Sequence, residues 1–339
     1  MQRPWADRPL GMRDIYPEEA RRRRDLENHL LAYFERHGFA QVSSGALEYV
    51  DSLLRGRPSS QAAAWIQWFD MSGRAIALRP DMTPAIARMA APAVGRGRIP
   101  IRWCYAERVY HRPADPALVT WSSGRPVEWT QVGVEWIGER GTDVDCSLLE
   151  LCQGALASLA LQGCQTVVGH AGFTPAFLEA AGIAPDEVKP LLDLLAEGDY
   201  VGFRTQAARA GADTDMLAAL SRLDPFTGIR LVEALGGRWR MDAPGAAAAE
   251  AAWRELVSLA EALRRRGLEA AISFDLSLYR SLPYYTGIIF EVFAPGVGAP
   301  IGYGGRYDGL LAHYGADAPA VGFSFEAERL LTALGEGEG

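Results

Sequence analysis

Lysine is almost missing from this chain of 339 residues: Lys189 is the only one, and arginine supplies every other side-chain cation. Acidic residues outnumber basic ones, 42 to 34, for a net charge of −8, so the overall balance does not attract a polyanion such as tRNA. Arginine preference beside abundant alanine reads as codon bias rather than phosphate binding. Cysteine is scarce: Cys104, Cys146, Cys152 and Cys164 form no CxxC pair, so neither a zinc site nor a disulfide framework is signalled, and reduced, partly buried thiols are expected. His29, His37, His111, His170 and His313 are too scattered to propose a metal cluster, and no Ser/His/Asp arrangement stands out. Neither GxGxxG nor GxxxxGK[ST] occurs, which excludes the usual dinucleotide and P-loop signatures. No apolar run approaches the roughly 20 residues of a membrane helix, and the N-terminus lacks the apolar core of a secretory signal. A soluble, cytoplasmic protein without cofactor or metal is expected.

What is present is enough for a sizeable core. Hydrophobic residues make up 49% of the chain and charged residues 22%, an ordinary globular balance, and the length predicts two domains or one large domain with an insertion. "YPEEARRRRDLENHLLAYFERHG" predicts a helix with Leu26, Leu30, Tyr33 and Phe34 on one face, Arg21–Arg24 on a solvated face and a stop at Gly38. "IRWCYAERVYHRP" and "PVEWTQVGVEWIGE" predict an antiparallel strand pair, joined by a polar loop containing Pro113, Pro116, Gly124 and Pro126. From about residue 170 to 266 strand signals nearly vanish. The last helix there, "AAAAEAAWRELVSLAEALRRRG", places Trp253, Leu256, Leu259, Ala260 and Leu263 on one face and ends at Gly267. "ISFDLSLY", "TGIIFEVFA" and "AVGFSFEAERLLTAL" return to strands, the last passing into a helix. The predicted class is α+β with a mostly antiparallel sheet. Its divisions are a core at 1–165, a mainly helical insertion at 166–268, a second core part at 269–334 and a flexible tail at 335–339.

Four polar stretches interrupt this apolar frame. In "LRPDMT", Arg79, Asp81 and Thr83 precede a proline-started helix; if the segment is extended, Asp81 and Thr83 point the same way and suit an ammonium group, whereas a helix start makes one of them an N-cap. In "WTQVGVE", Gln131, Gly133 and Glu135 share one face of a strand. Either they flank room for a small ligand or they form an outward polar edge. "RSLPYYTGIIFE" sets Arg280 and the pair Tyr284-Tyr285 before a buried strand, and "YGGRYDGLLAHYG" offers Gly304-Gly305, with Arg306 and Asp308 placed to pair structurally.

Taken in order, "GMRDIYPEEA", "LRPDMTPAIAR", "EWTQVGVEWIG", "YYTGIIFE", "GGRYDGL" and "GFSFEAERLL" make the sequence resemble the class II histidyl-tRNA synthetase catalytic domain over nearly the full chain. The resemblance is greatest to its shortened paralogue family, the regulatory subunits of ATP phosphoribosyltransferase, which lack the anticodon-binding domain. It implies a class II synthetase-like antiparallel sheet flanked by helices, dimeric through its N-terminal region. It also implies a histidine pocket: Asp81, Thr83 and Gln131 on the α-ammonium, Arg280 on the carboxylate, and Glu135 with the Tyr284-Tyr285 pair, through the Tyr285 hydroxyl, on the imidazole nitrogens.

The departures from the synthetase pattern concern ATP. Tyr110-His111 stands where that family has a phenylalanine-arginine pair gripping the α-phosphate, and imidazole does not reproduce a permanently charged, bidentate guanidinium. Arg112 is adjacent, but in a strand it points to the opposite face. Val127 stands where a loop arginine is expected. Motif three reads "EAER" rather than "GLER", which sets Glu326 at the nucleotide position while Arg329 remains; a carboxylate there repels phosphate. The chain ends about five residues past its last helix without an anticodon-binding domain, so no tRNA partner is expected. The resemblance therefore implies a noncatalytic, histidine-binding subunit that activates and feedback-regulates a short-form catalytic ATP phosphoribosyltransferase in the first step of histidine biosynthesis, as a homodimer within a hetero-oligomer. The alternatives are a truncated synthetase-like enzyme that activates histidine with ATP, and an amino-acid-binding module serving an unrelated partner.

Overall fold

The computed structural model describes residues 7–9, 11–112, 127–280 and 282–335. Contacts divide the chain into two units, Met1–Gly138 with Pro295–Gly302 and Leu310–Gly339, and Glu139–Ala294 with Tyr303–Gly309.

The first unit opens with α1 (Pro17–Arg36), which starts on a proline with Glu18 and Glu19 in its first turn and buries Leu26, Leu30, Leu31 and Phe34. Its arginines are largely solvated, and Arg23 and Arg24 bracket the buried Glu27. Gly38, at φ +87°, takes the left-handed turn that ends it. Then come β1 (Ala40–Gln41), β2 (Leu47–Tyr49), α2 (Val50–Leu53), β3 (Gln67–Phe69), β4 (Ala75–Leu78), α3 (Met82–Val94), β5 (Ile101–Tyr110) and β6 (Glu128–Ile137). After the second unit the chain returns with β11 (Ala320–Glu326) and α11 (Ala327–Gly335). The main strands run in the order β1-β5-β6-β11, and β2-β4-β3 form a separate antiparallel sheet. Residue Glu135 lies opposite Trp103 of β5 and Gly322 of β11, so Gln131, Gly133, Glu135, Tyr105, Gly322 and Glu326 share one face. Phe34 of α1 packs edge-on against Phe323 on the other face, at 5.8 Å between rings. The polar face is thereby left to the start of α3.

The second unit holds α4 (Thr142–Ser158), β7 (Gln165–His170), α5 (Phe173–Ala180), α6 (Pro185–Glu197), α7 (Tyr200–Arg209), α8 (Thr214–Leu220), α9 (Leu231–Leu235), α10 (Ala246–Arg265), β8 (Ile272–Phe274), β9 (Ile288–Phe293) and, but for its first residue, β10 (Gly302–Arg306). Its strands run β10-β9-β7-β8. The predicted face of α10 is buried, Trp253, Leu256, Leu259, Ala260 and Leu263 all at or below 1% exposure, against α4 and α5. Each such large side chain contributes about 1.5–3 kcal/mol. A satellite core of Leu178, Leu191, Leu192, Leu195 and Phe203 holds α5, α6 and α7 together.

Several expectations change here. By contacts α4 groups with α10, which places it in the second unit. The stretch 166–268 opens as strand β7 and is helical from Phe173 onward. Within each unit the long strand pairs are antiparallel as expected, with one short edge strand added in parallel, β1 on β5 and β8 on β7. Only Ile272–Phe274 of "ISFDLSLY" is strand, since Asp275 turns the chain by accepting from the Ser277 N–H at 2.8 Å. β5 ends at Tyr110, so strand alternation does not orient Arg112, whose N–H goes to the Ala64 carbonyl. The polar loop at 113–126 and tail residues 336–339 lie outside the described residues. All four cysteines are buried and free, and burial pushes the Cys104 thiol up to about 12. Among the described residues no helix is long and apolar enough to cross a membrane.

Candidate functional site

The seven expected ligand residues fall four in the first unit and three in the second. In the first, the start of α3 organises them. Asp81 is the N-cap, its carboxylate accepting from the Thr83 N–H at 3.4 Å and from Arg57 Nη2 at 3.2 Å. The segment is therefore not extended at Thr83, and the same-direction argument from spacing gives way to the helix start. α3 instead turns Thr83 toward β6, where its hydroxyl donates to Glu135 Oε1 at 2.8 Å. Gln131 Oε1 accepts from the Met82 N–H at 3.1 Å and so satisfies one of the helix's orphan donors. Glu135 is 1% exposed, and the buried Tyr105 hydroxyl also donates to it, at 3.4 Å. A carboxylate held this deeply needs such donors.

Gly133 does not open the room that spacing suggested. A Cβ there would run into the Phe323 carbonyl and Ser324 of β11, so this glycine serves strand approach. The room is made opposite, at Gly322, where a Cβ would collide with the Glu135 carboxylate. Tyr105, Gly322 and Arg57 were not singled out from the sequence. The first two lie on the shared face by alternation, but only the registers of β5 and β11 against β6 bring them to Glu135.

In the second unit, Arg280 Nη1 donates to Glu291 Oε1 at 2.7 Å, its guanidinium lies 3.9 Å from the Tyr303 ring centroid, and its Nε is buried without a hydrogen-bond partner. Burial opposes its charge, but Tyr285, Tyr303 and Glu291 together outweigh this and hold the group above its ordinary range. The Tyr285 ring packs over Gly305, where a Cβ would lie 2.6 Å from Cε1, so this glycine admits an aromatic side chain of the same chain. Tyr284 is buried, tilted against Tyr285 at 5.0 Å and edge-on to Tyr307 at 6.1 Å. Arg306 pairs with Asp308 at 2.9 Å, as the sequence implied, and also with buried Asp145, whose carboxyl burial pushes up despite Arg306. Burial first, then Asp275 and Glu291, push up the Tyr200 phenol at the start of α7.

The positions expected to be degraded for nucleotide binding all lie in the first unit. The His111 ring stacks on Trp129 at 5.1 Å, and its Nε2 carries the proton donated to the Pro80 carbonyl at 3.1 Å. Val127 is buried, its carbonyl accepting from the His111 N–H. Glu326 binds Arg329 Nε at 2.9 Å while Nη1 of that arginine donates to the Pro300 carbonyl at 2.6 Å, so both edges of the cation are engaged within the protein.

The model of the family described as Histidyl-tRNA synthetase matches residues 11–330. A curated ATP phosphoribosyltransferase regulatory subunit of Moorella thermoacetica is 36% identical over 332 residues, spanning 97% of this chain and 82% of its own. The chain belongs to the ATP phosphoribosyltransferase regulatory subunit family. The solved structures agree on a histidyl-tRNA synthetase-like fold for this chain. A structure described as a histidine–tRNA ligase subunit, from Alicyclobacillus acidocaldarius, is 47% identical with a TM-score of 0.87, covering 100% of this chain and 99% of its own. One from Bacillus halodurans C, described as an ATP phosphoribosyltransferase regulatory subunit/histidyl-tRNA synthetase, is 27% identical with a TM-score of 0.82, covering 97% and 83%. The fold is thus class II synthetase-like, α+β.

Proposed function

We propose that this chain is a noncatalytic regulatory subunit that binds histidine and both activates and feedback-regulates a short-form catalytic ATP phosphoribosyltransferase. The observation that carries this reading is the fully buried Glu135 carboxylate, held by the Thr83 and Tyr105 hydroxyls beside the capped start of α3. The two hydroxyl donors leave the Glu135 carboxylate with further lone pairs that can accept from an imidazole N–H. Asp81, Thr83 and Gln131 take the α-ammonium, Arg280 takes the carboxylate, and Tyr285, packed against Tyr284, takes the second imidazole nitrogen. The working assembly is a homodimer within a hetero-oligomer, and histidine acts by binding one of its conformations more tightly than another.

Noncatalysis is supported by His111, Val127 and Glu326. Glu326 holds Arg329, and His111 spends its Nε2 proton on a backbone carbonyl. The test is phosphoribosyl-ATP formation by the short catalytic subunit of the same organism, with and without this protein, across a histidine titration. Stimulation that histidine reverses is expected; an unchanged rate at every histidine concentration overturns the reading. The description of the Alicyclobacillus structure favours a second reading, a synthetase-like enzyme activating histidine with ATP. Histidine-dependent exchange of pyrophosphate into ATP would support it.

A further inference from the structure

Arg280 already holds a carboxylate. Glu291, on β9, donates nothing and accepts one bond from Arg280 Nη1 at 2.7 Å, with both side chains largely shielded from water, at 23% and 18% exposure. The Tyr303 ring lies 3.9 Å beneath the guanidinium and fixes its plane, while Nε remains buried and unpartnered. A second carboxylate that comes to this guanidinium meets a cation whose charge is already partly compensated by Glu291, and it is repelled by that like charge.

We propose that Glu291 is an affinity-setting residue, a resident carboxylate that competes with the incoming ligand's carboxylate for Arg280. This rests on the proposed histidine site and extends it: part of the ligand's binding energy goes to redistributing Arg280 between two carboxylates. The imidazole and ammonium groups of the ligand are not involved in that exchange. Glu291 therefore discriminates by charge at one end of the ligand only, weakening carboxylate-bearing ligands relative to otherwise identical ones without it. Substitution by glutamine keeps an oxygen to accept from Nη1, and with it the orientation of the guanidinium, while deleting the competing charge.

Titration calorimetry of the full chain with histidine, and with histidinol, in which a hydroxymethyl group replaces the carboxylate, tests this. Glu291→Gln is expected to bind histidine about tenfold more tightly, the order of one charge-assisted hydrogen bond, with histidinol affinity unchanged. Glu291→Asp retracts the carboxylate by one methylene and is expected to fall between; it also serves if the glutamine variant does not fold. Unchanged or weakened histidine binding in the variants, or parallel shifts for both ligands, overturns the proposal while leaving the histidine site standing. Wild-type protein that binds neither ligand overturns the site itself.

Discussion

Glu135 shows why a residue's role is decided by what neighbours offer. It is a carboxylate on a central strand, legible in "WTQVGVE" as one of two polar groups on a face, but its burial and its two hydroxyl partners come from α3 and β5. Glu135→Ala is expected to weaken histidine binding by roughly 10- to 100-fold, the loss of a charged hydrogen bond, while leaving assembly with the catalytic subunit intact on size-exclusion chromatography. Gly322 is the silent half of the same arrangement. A methyl group there meets the Glu135 carboxylate and the Val134 carbonyl, so Gly322→Ala is expected to lose about 1–3 kcal/mol in urea unfolding and to abolish histidine binding together. Asp81 was legible as either ligand or cap, and in the fold it is the cap of α3.

At the scale of elements, the amphipathic patterns of α1 and α10 and the alternation of β5 and β6 were readable, because burial of one face imposes a period that local sequence records. Edge strands and turns were less so. β1 and β8 are two and three residues long, too short to carry a period, and their parallel pairing depends on distant partners. The junction of β11 and α11 carries a testable electrostatic feature. Glu328, in the first turn of α11, is half-buried and accepts from the Thr130 N–H of β6 at 3.0 and 3.2 Å. Burial raises its carboxyl above the ordinary value, more than the Thr130 bond lowers it. A carboxyl with a raised folded value gives most stability below its unfolded value and loses it as pH rises through the folded one. Glu328→Gln, which keeps an acceptor for Thr130, is therefore expected to be more stable than wild type at pH 8 and to converge with it near pH 4, measured by urea midpoint at each pH.

At the scale of the whole molecule, the proposed division between sensing and catalysis predicts a null: pyrophosphate exchange into ATP is expected to stay at background with histidine present, under conditions where an active histidyl-tRNA synthetase is readily detected. The Glu326–Arg329 pair and the Pro300 contact are the features that prediction rests on. Exchange above background would move histidine activation ahead of regulation. The sequence by itself determined the class of fold, the long helices, the strand pair and the order of the polar motifs, since each is written in side-chain periodicity or in a run of adjacent residues. Only the tertiary structure decided that α4 belongs with the second unit, that Gly133 serves strand approach while Gly322 makes the room, and that Arg280 already holds Glu291. Those outcomes depend on register and on packing between residues far apart in the chain, and no local pattern encodes either.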